Sequence, residues 1–216
     1  MLSFFKRAVP CPLAFPTSGV AFFRIINHLA AIKMADKSYF PLSLDTLRIL
    51  AGWAADCADR ALPLFERHAP TDPRPRAALS GIRAFAAGGK RTALLRTLAL
   101  AALAAAREVN DPAAAAAARA AGFAAASAYT HPLADVQQTK HILGPAAYAA
   151  LAPELAGGGD AAIGEAEVHR AIEQVPAEVR ELLLQMPARQ PGKSRLEGLL
   201  YALDKGIRAP SLPREA

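Results

Sequence analysis

Alanine limits what this chain can become: 52 of its 216 residues are Ala. Ala loses no side-chain entropy in a helix and is the best helix former. A sheet would want more Val, Ile, Thr and aromatic residues, and aromatics make up only 6%. Hydrophobic residues reach 53% and charged residues 20%, a balance that buries a core and excludes a disordered chain. The length fits one domain. The expectation is an all-α fold, a compact Ala-rich helical bundle of about seven helices with no sheet. It spans residues 36–209, with a candidate sub-boundary near 157–160 and a tail at 210–216.

Two cysteines, Cys11 and Cys57, make neither a disulfide framework nor a four-ligand zinc site. That count points to a reducing compartment, the cytoplasm. The longest apolar run, Ala8 to Phe23, is broken by Pro10, Pro12 and Pro16 and does not read as a membrane span. There is no phosphate loop, dinucleotide fingerprint, nucleophile elbow or paired-histidine zinc helix. No motif asks for a cofactor, and none is expected.

Residues 1–35 read as a different chain. They hold Lys6, Arg7, Arg24 and Lys33, no acid, and five of the nine Phe. At Met34 the character changes, and Met34-Ala-Asp-Lys-Ser reads as a protein start. Three readings stand: a start codon placed too far upstream, a genuine extension that is docked or disordered, or a basic, acid-poor targeting peptide. Val20 to Ile32 has the pattern of a short amphipathic helix. The formal net charge is +6, and four of those charges belong to this segment. The rest holds 21 basic and 19 acidic side chains, too even for nucleic-acid steering.

From Ser43 the pattern turns helical. Leu47, Leu50, Ala54, Cys57, Ala61 and Phe65 recur at three- and four-residue spacing, with Ser43 or Asp45 as cap and Pro63 expected to kink the helix or start its last turn afresh. Asp72-Pro73 and Asp111-Pro112 each place a capping acid before a proline at the first helical position. They start helices running to about Ala87 and Ser127, and a third lies between, from Thr92 to Val109. The Ala-rich stretch after Pro112 reads as a tightly packed central helix. A helix from His131-Pro132 to Leu143 should break at Gly144-Pro145, with a short helix through Tyr148 to Leu151. Three more follow: Ala161 to Glu173, Ala177 to Met186, and Ser194 to Ile207.

Several residues have chemistry to offer. Asp56 and Arg60 stand four apart in a supportive orientation, beside Cys57. They form either an active constellation or an exposed ion pair next to a buried thiol, and the second is favoured. Arg74 and Arg76 bind an anionic partner or pair locally with Glu66 or Asp72. Trp53 is a binding anchor or a core residue. His131, Asp135 and His141 suit a metal, but spacings of four and six need not share a helix face, so a structural role is favoured. Tyr148 reads as core.

Four blocks carry a family resemblance. The first is Trp53-Ala-Ala-Asp56-Cys-Ala-Asp-Arg60-Ala-Leu-Pro-Leu-Phe-Glu66. The second is Asp72-Pro-Arg74-Pro-Arg76, followed by Ile82-Arg83-x-Phe85 ahead of Gly88. The third runs from Ala118-Arg119 through Gly122 towards His131, and the fourth is His141-x-x-Gly144-x-Ala-Ala-Tyr148-Ala. In this order they resemble the Imm-5-like immunity proteins, over near half of the chain. Members are sometimes labelled exonuclease subunits, yet this chain has neither a phosphate-binding loop nor a heptad run. The resemblance implies an all-α bacterial protein that neutralises a toxin made by the same cell. Together with the residues above, the expectation is a non-catalytic binder of a cognate toxin, not an enzyme, with neither nucleic acid nor membrane as partner. Its contact face is expected among the charges from Asp56 to Arg76, with His131 and His141 as further motif residues. An apolar face left uncovered would make a homodimer. Two rival functions stand beside it: a nucleic-acid-associated or DNA-repair helical protein, and a small metal-dependent hydrolase using His131, Asp135 and His141.

Overall fold

The computed structural model describes residues 38–210. The readings of residues 1–35, including the helix at Val20 to Ile32, and of the tail beyond 210 lie outside them. Among the described residues are eight α-helices, one short 3₁₀ turn and no strand. A lone antiparallel bridge joins Tyr39 to Leu133. No described helix is long and apolar enough to cross a membrane.

Capping chemistry sets most of the boundaries. The Ser43 hydroxyl accepts from the Thr46 N–H at 3.0 Å and starts α1, Leu44–His68, which runs through Pro63. Asp72 accepts the Arg74 N–H at 3.0 Å, so α2 covers Arg74–Ala86, with Pro73 one position ahead of the helix. Gly88, at φ 104°, turns the chain out of α2. α3 spans Ala93–Glu108. Asp111 accepts from Ala114 N–H at 2.7 Å and opens α4, Pro112–Ser127.

α4 is the centre of the bundle and packs on α1, α2, α3 and the following helix. Twelve of its sixteen residues are buried. Ala permits this because it fills little space and exposes no polar side chain, so neighbouring axes approach closely. At Gly122 a Cβ would stand 3.1 Å from the Ala99 carbonyl oxygen of α3.

The segment after α4 departs from expectation. The 3₁₀ turn Val136–Gln138 leads into one continuous helix, α5, Thr139–Ala156, with Pro145 and Pro153 inside it. Pro145 has no N–H for the His141 carbonyl and costs about 3 kcal/mol in a helix interior. Burial outweighs that cost. Ile142, Leu143, Ala146, Ala147, Ala149 and Ala150 are all buried on the two sides of Pro145, and each large aliphatic contributes about 1.5–3 kcal/mol. Gly144 does not break the helix either: a Cβ there would lie 2.9 Å from the Phe123 ring, so it gives α4 and α5 their close approach.

Gly158 and Gly159, at φ 75° and 89°, turn the chain into α6, Ala161–Glu173, which packs back on α5. α7, Ala177–Leu184, stops two residues short of Met186. α8, Arg195–Arg208, opens on a reciprocal capping box between Ser194 and Glu197. It buries Leu199, Leu200, Leu203 and Ile207. Buried Glu154 of α5 accepts both guanidinium nitrogens of Arg195, at 2.7 and 2.8 Å, which fastens α8 to the core.

Candidate functional site

The family-motif charges gather along the adjoining faces of α1 and α2, where they pair with one another. Arg83 of α2 reaches Asp56 at 2.8 Å and Asp59 at 3.3 Å. Arg76 grips Glu66 through two nitrogens, at 2.5 and 2.8 Å. Arg74 wraps Asp72, with its shortest contact at 2.6 Å, and extends to Glu108 at the end of α3 at 2.5 Å. The arginine hydrogen bonds hold the Glu66, Asp72 and Glu108 carboxyls below their ordinary ranges. Exposed pairs of this kind add little stability one by one, but forked arginines fix the geometry of the rim.

Asp56 and Arg60 do not form the side-chain pair their spacing suggests. Arg60 instead bonds Glu167 of α6 at 2.9 Å and the Asp56 backbone carbonyl at 3.2 Å. The neighbour on α6 offers a half-buried carboxylate, while Asp56 is drawn outward to Arg83. Cys57, between them in sequence, is fully buried. Burial pushes its thiol up to about 12, against the smaller opposing influence of Arg60. A thiol so protonated is not a nucleophile at neutral pH.

Trp53 is core, at 4% exposure. Its indole N–H donates to the Ala171 carbonyl at 3.2 Å. That carbonyl lies in the last turn of α6, where the Val175 N–H turns to Ile172 instead. Trp53 thus satisfies one of the carbonyls a helix end leaves unpaired.

The histidine region does not assemble around one centre. His131 is exposed, and its backbone N–H donates to Gln138 at 3.2 Å. Asp135 accepts from the Gln137 N–H at 2.9 Å and caps the 3₁₀ turn. His141 is half-buried, and desolvation, with the charges of His131 and Lys140, pulls its pKa down. Its Nδ1 is buried without a hydrogen-bond partner. Among the described residues no group of three or more His, Cys, Asp or Glu side chains could hold a metal ion.

An open cleft of about 580 Å³ lies where α1 and α3 end and α4 begins, lined in part by Phe65, His68, Asp72, Glu108, Asp111 and Pro112. Its charges belong to the same network: Arg74 spans Asp72 and Glu108, and His68 lies 3.6 Å from Asp111. Glu108, Glu167 and Arg83 complete the pairing, and the sequence did not single them out as partners. The pairings that join one helix to another link residues 24 or more apart, a distance at which spacing carries no signal.

The model of the family described as "Imm-5 like putative immunity protein" matches residues 41–178. The chain belongs to this family. The matched part of this Imm-5-like protein begins just ahead of α1 and ends in the first turn of α7, so it contains the whole paired rim and the histidine region. α8 lies beyond it. No curated protein and no solved structure matches the chain.

Proposed function

We propose that this Imm-5-like protein neutralises a toxin by binding it, as one preformed helical body and without catalysis. Family membership across residues 41–178 is the observation that carries the reading. The chemistry of the motif residues supports it. The buried Cys57 thiol is held protonated, and the acids and arginines of the rim are engaged with each other. A rigid surface loses little conformational entropy on docking, which is how an inhibitor reaches high affinity from a modest interface. Partner charges can steer the encounter and set the orientation.

Growth rescue tests the reading. Co-expression with a toxin domain encoded by a neighbouring gene is expected to restore growth, and the two proteins to co-purify. Failure to protect against every neighbouring toxin domain would contradict it.

A further inference from the structure

One face of the bundle differs from the paired rim. Beyond its first residue, α4 leaves only Arg119, Phe123 and Ala126 partly exposed, at successive turns of one stripe. That stripe lies between α3 and α5, both of which pack on α4. On α3 the residues Arg96, Leu100, Leu103 and Arg107 follow each other at helical spacing, and Leu100 is 60% exposed. On α5 Tyr148 stacks on Phe123 with centroids 5.2 Å apart. Lys140 places its ammonium 5.6 Å from the centre of the same ring. Just past the end of α4, Tyr129 carries the Arg96 guanidinium 4.8 Å above its ring.

The charge on this face has one sign. From Pro112 to Pro153 the only acid is Asp135, which caps the 3₁₀ turn. Arg96, Arg107, Arg119 and Lys140 form no ion pair among the described residues, whereas Arg48, Arg60, Arg74, Arg76 and Arg83 of α1 and α2 each hold a carboxylate. Aromatic rings lie against Arg96 and Lys140, and a guanidinium backed by a ring keeps its edge for a two-pronged contact with a carboxylate.

The geometry points to the α3–α4–α5 face as a docking surface for an acidic protein partner with an apolar centre. This inference rests on the toxin-binding reading and names where and to what chemistry the chain binds. A second copy is a poor occupant, because a two-fold contact would set like charges together. The segment 1–35 is a poor one too, since it is itself basic and acid-free. A nucleic acid would gain nothing from exposed Leu100, which does not stack on bases.

Two arms test it on the full chain. In the first, a short glutamate-rich amphipathic peptide and a thymidine oligonucleotide of equal charge are titrated while the ring resonances of Phe123, Tyr129 and Tyr148 are followed by NMR. The peptide shifts all three, and Arg96→Glu with Lys140→Glu weakens its binding by at least about tenfold. The milder pair Arg96→Gln with Lys140→Gln covers loss of fold and weakens binding less. Tighter binding of the oligonucleotide, unchanged peptide binding by both double variants, or no shift with either probe overturns the inference. In the second arm the double variants are co-expressed with the toxin domain, beside Arg83→Glu on the rim. Loss of protection only in the Arg96 and Lys140 double variants supports the inference, and protection equal to wild type overturns it. If wild type protects against no toxin while the peptide still docks, the toxin reading fails and the acidic-partner inference stands.

Discussion

Trp53 and Cys57 sit one turn apart on the buried face of α1, and each has a single physical role. Cys57 fills space; its thiol, pushed up to about 12, stays protonated through neutral pH. In a Cys11→Ser background, native protein at pH 8 should resist alkylation for hours, and urea should make Cys57 react within minutes. Fast native labelling would show the site to be open. Trp53 joins α1 to α6 through the Ala171 carbonyl. Trp53→Phe keeps most of the packing but strands that buried carbonyl, so it should cost about 1–3 kcal/mol in denaturant unfolding. Trp53 is the only tryptophan in the chain, so its emission reports directly on the burial of this contact.

Among elements, the close approaches at α4 matter most. Gly122→Ala should raise helix propensity by about 1 kcal/mol, yet its Cβ would meet Leu103 at 2.8 Å and the Ala99 carbonyl oxygen at 3.1 Å. Backbone cannot swing aside as a side-chain tip can, so overpacking should win and lower stability by about 1–2 kcal/mol. A rise in melting temperature would contradict that packing. Asp72 links the start of α2 to α3 through Arg74 and Glu108. Its carboxyl is held below its ordinary 3.8 in the folded state, with Glu66 and Glu108 below 4.5. Folded values below unfolded ones mean that this stabilisation is complete above about pH 5 and fades as pH falls through the depressed folded values. Arg74→Met should flatten the slope of stability between about pH 5 and pH 3, measured by urea unfolding at each pH.

The same elements show what the sequence made legible. Helix starts at Ser43, Asp72, Asp111 and Ser194 could be read, because capping is local chemistry. The buried stripes of α1 and α8 could be read from period. The break expected at Gly144-Pro145 does not occur, because local penalties there are outweighed by burial against α4, which no window of sequence contains. The Asp56–Arg60 pair gave way to Arg83 and Glu167 for a similar reason: tertiary neighbours offered better-placed partners. The cationic face left a trace, the acid-free run from Pro112 with Arg119 and Phe123 four apart. That trace has meaning only once α3 and α5 are known to flank α4.

Across the whole molecule, charge is sorted rather than merely balanced. The described domain keeps most of its α1–α2 charges in internal pairs and leaves Arg96, Arg107, Arg119 and Lys140 of the α3–α5 face without one. Alanine makes this arrangement feasible, since a nearly all-Ala helix can sit at the centre and let its neighbours project longer side chains outward. Such a body suits stoichiometric binding. The most direct test titrates the purified chain against its toxin and follows toxin activity. The account predicts that activity falls linearly to zero at a fixed stoichiometric ratio, and that the toxin recovered from the complex is chemically intact and active. Inactivation by substoichiometric protein, or recovery of a modified toxin, would contradict it.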